Sequence, residues 1–265
     1  MGRNDLCFCG SGKKVKKCHD FNEKSQAADC LKLYNDLAIA VELHYSQSDI
    51  NPMCVEGCSD CCYDNFTITD IEFDLILLEI RNWSDERLAN LKIKVLEDWD
   101  KFKREYPFQA ENYEKDGTGN EEIVMRDIRH MAAKLETPCV FLSGEGSCEV
   151  YNFRPYLCRR HGVAMTLNTD GTVPPHKICN VIGDSVKASE WQVEVEEQEE
   201  KYVRLNVILD NKRKVSINRR KYPVLYFLYM SFFKYERGTS IKNYDDKFSI
   251  PKEIYDTEVL NSVIR

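Results

Sequence analysis

The sequence predicts an α+β fold that is mainly helical, with small cysteine-bearing hairpins and a separate knuckle at the N-terminus. Three observations predict it. Apolar residues recur at helical spacing through much of the chain, as in Leu33, Leu37 and Val41. One stretch, "CVFLSGEGSCEVY", sets two short apolar runs on either side of a turn-rich segment. All twelve cysteines precede Lys187, and most of them gather in polar clusters rather than in apolar runs.

The knuckle is residues 2–19, "GRNDLCFCGSGKKVKKCH", which hold three cysteines, one histidine and four lysines. Cys7 and Cys9 flank a single residue, so a tight bend lets both sulfurs face one point, and Gly10, Ser11 and Gly12 let the chain turn back to Cys18 and His19. The stretch "SQAADCLKLYNDLAIAVELHY" follows as a helix carrying Cys30 and His44. A lone helical cysteine is most often a small buried apolar group and a lone histidine a surface or satisfied residue, so neither Cys30 nor His44 is expected to ligate. Next comes "CVEGCSDCC", with Cys54, Cys58, Cys61 and Cys62, as a loop docked ahead of "FTITDIEFDLILLEI". Thr69 and Glu72 have the spacing of a capping box that opens this apolar helix.

In "SDERLANLKIKVLEDWDKFKREYP" one stripe holds Leu88, Leu91, Val95, Trp99, Phe102 and Tyr106, with charges elsewhere, and the helix should stop at Pro107. Such a stripe is expected to enter a core. The polar stretch "ENYEKDGTGNEE" reads as a linker before a helix in "EEIVMRDIRHMAAKL". The hairpin then places Cys139 and Cys148 just outside its turn on opposite strands. Beyond Lys187, an acidic segment, "EWQVEVEEQEEKY", and an aromatic one, "YPVLYFLYMSFFKYERG", are expected to form one or two helices. The expected organisation is a knuckle over 1–22, a cysteine-cluster domain over 27–185 and a helical C-terminal extension over 186–265 that packs on it.

The net charge of −7 argues against a general nucleic-acid coat, although residues 1–19 are basic. No run of about 18 apolar residues occurs and the N-terminus has no apolar core, so a membrane span and a signal peptide are unsupported and a cytoplasmic location is expected. In a reducing compartment, clustered cysteines hold metal more often than they form disulfides.

Structural zinc sites take four nitrogen or sulfur ligands in a tetrahedron, and Cys7, Cys9, Cys18 and His19 supply such a set within one local segment. So short a segment has almost no apolar core, and metal binding must supply most of its folding free energy, on the order of 10 kcal/mol. Lys13, Lys14, Lys16 and Lys17 offset the thiolate charge and leave a basic surface for docking a protein partner. A contact with nucleic acid or the ribosome has no further support in the sequence.

Downstream, Cys54, Cys58, Cys61, Cys62, Cys139, Cys148, Cys158 and Cys179 suffice for two tetrahedral zinc sites, or for one [4Fe-4S] cluster with four thiols left over. Adjacent side chains in extended structure point apart, so Cys61 and Cys62 more naturally serve two metals, or one metal and one structural role. Arg154 and Arg159 stand where guanidinium groups would support an anionic thiolate site, as does Arg160, and His161 and His176 are weaker alternative ligands.

Residues 2–19 closely resemble the SEC-C motif, the zinc-binding tail of the bacterial secretion motor ATPase, which also occurs as an accessory segment on other proteins. The resemblance implies Zn²⁺ at Cys7, Cys9, Cys18 and His19 and a docking role; Leu6 and Phe8 depart from it, standing where prolines are common. Further on, "CVEGCSDCC", "TPCVFL", "GSCEVYNFRPYLCR" and "KICNVIG" resemble the YkgJ-type cysteine-cluster family with its CxxCxxCC signature. That resemblance implies zinc or iron chelation by the eight cysteines, and it leaves residues near 83–120 as an unusually long insertion, either a specificity element or a helical arm.

These readings favour a metal-binding adaptor or regulatory protein. The alternative is an iron-sulfur redox protein or enzyme, since the cluster is similar to that of flagellin lysine N-methylases. Whether the chain is an enzyme stays open: no phosphate loop, nucleophile elbow, His-Glu-x-x-His helix or dinucleotide loop occurs. Glu145, Glu149 and Asp170 are unremarkable as bases in a chain of 31% charged residues.

Overall fold

A computed structural model describes Asn4, Leu6, Cys7, Lys13, Lys14, Lys17 and residues 26–47, 57–80, 83–114, 135–160, 195–210, 215–218 and 221–234. Helices dominate these residues, accompanied by short antiparallel strand pairs, so the class is α+β. The chain divides into two compact units. One comprises residues 1–58, 154–219 and 254–265, and the other residues 59–153 and 220–253.

The first unit is built on helix α1 (Gln26–Gln47). Its buried face carries Ala27, Cys30, Leu31, Tyr34 and Leu37, recurring three or four residues apart as an amphipathic helix requires. Cys30 is therefore packed, as its helical setting predicts. In the same unit lie the short helix α5 (Tyr156–Arg160) and helix α6 (Glu196–Leu205). Tyr156 stacks on Tyr202 at 4.2 Å between ring centroids, and its hydroxyl donates to Glu199 at 3.0 Å. Arg160 pairs with Glu199 at 2.7 Å and Lys201 of α6 with Asp36 of α1 at 2.8 Å, so buried rings and charges join the three helices. Strands β2 (Val207–Asp210) and β3 (Val215–Asn218) form a hairpin after α6. The strand pair departs from the one or two helices expected of this tail. The local signal is present in the sequence, because Val207, Ile208, Val215 and Ile217 are β-branched residues on either side of a polar run, "NKRK".

The second unit opens with a 3₁₀ turn (Asp60–Tyr63), strand β1 (Thr67–Thr69) and helix α2 (Asp70–Ile80). The capping box forms as the spacing predicts: Glu72 accepts from the Thr69 backbone N–H at 2.9 Å, and the Glu72 N–H donates to the Thr69 hydroxyl at 3.4 Å. Helix α3 (Asp85–Glu105) begins at Ser84, whose hydroxyl accepts from the Arg87 N–H at 3.3 Å. The predicted stripe is its buried face, with Leu91, Val95, Trp99 and Phe102 in the core and Leu88 and Tyr106 partly buried against it. Pro107 ends that helix and opens α4 (Pro107–Glu114), whose Ala110 and Tyr113 are also buried. The polar stretch read as linker from Glu111 is thus helical in its first four residues. Proline suits this position because the first turn of a helix needs no N–H partner there.

Strand β4 (Lys221–Pro223) pairs antiparallel with β1, placing Thr67 opposite Pro223, Ile68 opposite Tyr222 and Thr69 opposite Lys221. Helix α7 (Val224–Tyr229) follows directly and widens into one π-helical turn (Met230–Lys234). Tyr226, Phe227, Leu228 and Met230 are buried in the same core as α3. There Trp99 lies 5.2 Å from Tyr226 and 5.1 Å from Tyr229, while Phe73 of α2 stacks on Phe227 at 4.8 Å. The described part of the insertion, residues 83–114, accordingly contributes to the core of its unit. Among the described residues no helix is long and apolar enough to cross a membrane.

Candidate metal centre

Of the first proposed ligand set, Cys7 is described, and Cys9, Cys18 and His19 lie outside the described residues, as does Lys16. Cys7 is buried, and its N–H donates to the Lys13 carbonyl at 2.7 Å. Leu6 and Lys14 form an antiparallel bridge, and the Lys17 N–H donates to the Lys14 carbonyl at 2.8 Å. Leu6 and Cys7 therefore lie antiparallel to Lys13 and Lys14. Lys13, Lys14 and Lys17 are exposed, so three of the four proposed docking cations face solvent.

Of the second set, Cys54 and Cys179 lie outside the described residues. Cys58 follows Gly57, whose φ of 92° belongs to the left-handed region that favours glycine. Cys58 and Cys158 belong to the first unit, and Cys61, Cys62, Cys139 and Cys148 to the second. Cys61 and Cys62 sit in the 3₁₀ turn rather than in extended structure, where successive side chains diverge by about 120° instead of about 180°. The Cys62 N–H donates to Ser59 at 2.9 Å, and the Asp64 N–H donates to Cys61 at 3.1 Å.

The Cys139 N–H donates to the Cys62 carbonyl at 2.6 Å, which docks the second cysteine segment on the first. From there the chain reverses. Leu142 N–H donates to the Cys139 carbonyl at 2.9 Å, Gly146 N–H to Ser143 at 3.0 Å and Glu149 N–H to Phe141 at 2.9 Å. Gly146 takes a φ of 83°, a conformation that a side chain would strain. The expected hairpin is reduced to a single bridge, Leu142 to Cys148, because the reversal spends its backbone groups on turn bonds. Val140, Phe141 and Val150 anchor it in the core, and Phe141 meets the Trp83 ring edge-on at 6.1 Å.

Burial pushes the Cys139 thiol up to about 12; the Phe141 N–H bonded to it acts against the rise, and the neighbouring Cys148 and Cys61 add to it. The structure thus brings Cys61, Cys139 and Cys148 into electrostatic contact, alongside the Cys62 backbone. A thiol placed as Cys139 is resists ionisation until a cation neutralises it, and the donor chemistry suits zinc and iron-sulfur sites alike. Among the described residues no three His, Cys, Asp or Glu side chains converge closely enough to enclose an ion, and no disulfide is formed.

In the first unit Cys158 lies on α5 beside Arg159, whose guanidinium covers the Tyr34 ring at 4.5 Å and donates through Nε to the Arg154 carbonyl at 2.8 Å. Burial lowers the Arg159 pKa; Tyr34, Cys30 and Cys158 oppose this, and Arg154 reinforces it. Arg159 therefore stands near two thiols, one of which, Cys30, the sequence reading treated only as packing. Its signal in the sequence was slight: Cys30 lies one helical turn before Tyr34.

No curated protein matches the chain, and no solved structure does. Residues 3–19 match the model of the SEC-C motif. Residues 53–180 match the CxxCxxCC family, described as a "putative zinc- or iron-chelating domain". Two family models thus match successive parts of the chain, the SEC-C motif and then the CxxCxxCC domain, and they are the two that its cysteine spacings resemble.

Proposed function

We propose that this chain is a metal-binding adaptor with two separate thiolate modules. The N-terminal knuckle holds Zn²⁺ through Cys7, Cys9, Cys18 and His19, and its lysines dock an acidic protein surface. The CxxCxxCC domain holds zinc through thiols drawn from Cys54, Cys58, Cys61, Cys62, Cys139, Cys148, Cys158 and Cys179, and the ion draws Cys61, Cys139 and Cys148 together into one centre. Arg154 and Arg159 support the anionic set around Cys158.

The observation that carries this reading is the Cys139 turn. A partly buried thiol is held there by a backbone N–H from Phe141, with two further thiols near enough to oppose its ionisation. A divalent ion relieves that opposition by converting mutual repulsion into shared attraction. The protein then gains the binding free energy as folding free energy, as small metal domains do.

The deciding experiment is anaerobic purification followed by elemental analysis and an absorption spectrum. Zinc above one equivalent in a colourless protein is the expected result. A brown protein with charge-transfer bands that bleach in air would replace zinc by an iron-sulfur centre in the second module and favour the redox or methylase-like alternative. A chain with no metal beyond the knuckle's equivalent would refute the second module.

A further inference from the structure

Two basic side chains of α3 reach the cysteine turn across a sequence distance of more than forty residues. Lys94 Nζ donates to the Val140 carbonyl at 2.7 Å and to the Leu142 carbonyl at 3.1 Å. Arg87 Nη2 pairs with Glu149 at 3.2 Å while its guanidinium covers the Trp83 ring at 3.4 Å, and Trp83 in turn meets Phe141.

The carbonyls of the turn can be accounted for one by one. Those of Cys139, Phe141 and Ser143 accept from the backbone of the turn itself, and those of Val140 and Leu142 accept from Lys94. A single ammonium thus completes the carbonyl pairing of five consecutive residues that begin at a proposed ligand. Among the described residues no carboxylate lies within ion-pair distance of Lys94, so its charge is directed at the turn. Asp98, one helical turn on, is within electrostatic reach of the same ammonium.

The geometry points to Lys94 as a positioning residue for metal binding: from the long insertion it braces the 139–148 turn and sets its positive charge on the carbonyls that flank Cys139 and Phe141. This inference rests on the metal-binding reading above and assigns the insertion a part in it. Arg87 is a weaker brace, because its pair with Glu149 is largely solvent-exposed. Partners that orient metal ligands typically change affinity 10- to 100-fold when removed.

The test uses the full-length chain with Cys7→Ser and Cys18→Ser, so that only the downstream thiols bind Co²⁺ as the probe. Lys94→Met should weaken Co²⁺ retention against a chelator by about tenfold or more and lower the thiolate-to-cobalt charge-transfer absorbance per bound ion. Lys94→Arg should restore both, and Lys94→Gln, which keeps N–H donors without charge, should fall between. Lys92→Met is the control, a cation on the same helix that lies over the Phe232 ring instead. Should Lys94→Met unfold the unit, the Lys94→Gln and Lys94→Arg pair carries the comparison, and equal absorbance per ion in both overturns the role of the charge. Equal retention and absorbance in the parent chain and Lys94→Met overturn this inference alone. A parent chain that takes up no Co²⁺ overturns the metal-binding reading and this inference with it.

Discussion

Trp99→Ala asks whether the α3 insertion belongs to the core of the cysteine unit. Trp99 is 1% exposed and lies 5.1–5.5 Å from the rings of Phe102, Tyr226 and Tyr229, which come from its own helix and from α7. Truncating a buried tryptophan costs about 3–5 kcal/mol, and the upper part applies where rigid rings cannot collapse into the space. With three aromatic neighbours, about 4 kcal/mol is expected. For a domain of this size each kcal/mol lowers Tm by roughly 3–4 °C, so the loss should be about 12–16 °C. The paired control is Ile93→Ala on the opposite face of the same helix, where the side chain is 58% exposed, and it should change stability by less than about 0.5 kcal/mol. Urea unfolding followed by circular dichroism at helical wavelengths reads both without depending on the tryptophan lost. A difference of less than about 1 kcal/mol between the two variants would show that α3 does not contribute its striped face to the core.

Further expectations concern the thiols and the cap. Cys7→Ser should remove one metal equivalent and leave the unfolding transition of the remaining chain in place; loss of all metal would refute independent modules. Cys61→Ser should release the metal of the Cys139 turn while Cys62→Ser should affect a different equivalent, and identical losses in elemental analysis would argue for one shared centre. In the metal-free chain the raised Cys139 thiol keeps its proton in the folded state when the unfolded chain has lost it, so folding is favoured fully below about pH 9 and progressively less as pH rises toward 12. Urea midpoints of the metal-free reduced protein should therefore fall more steeply over that window than those of Cys139→Ala, and parallel profiles would refute the assignment. Thr69→Ala should lower stability by about 1 kcal/mol through the lost cap, measured by the same unfolding assay, and no change would show that the helix start is held elsewhere.

The sequence revealed those features whose causes are local. Thr69 and Glu72 are three residues apart, and the bond between them needs nothing else. The α3 stripe is likewise written in a single helix, and Pro107 marks its end by its missing N–H. Strand β1 is different, because three residues have little propensity of their own and Thr67–Thr69 becomes a strand through a partner more than 150 positions later. The Lys94 brace was hidden for the same reason. Among the alternating charges of α3, nothing distinguishes it from Lys92 or Lys101 until the fold brings the Val140 and Leu142 carbonyls to it. Of the site, the cysteine identities were legible, while the proximity of Cys61, Cys139 and Cys148, and of Cys30 to Arg159, depends on tertiary packing.

The pairing of β1 with β4 also bears on the order in which the protein can be finished. Cys61, Cys62, Cys139 and Cys148 leave the ribosome long before Tyr222, Tyr226 and Phe227, which close the core around their unit. Nascent chains thus pass through an interval in which these thiols are synthesised but not yet enclosed. The knuckle, whose bonds join residues within a few positions of one another, has no such interval. If both modules bind metal as proposed, loading during synthesis should run from the N-terminus in two separated events, the second awaiting the last helix of the core.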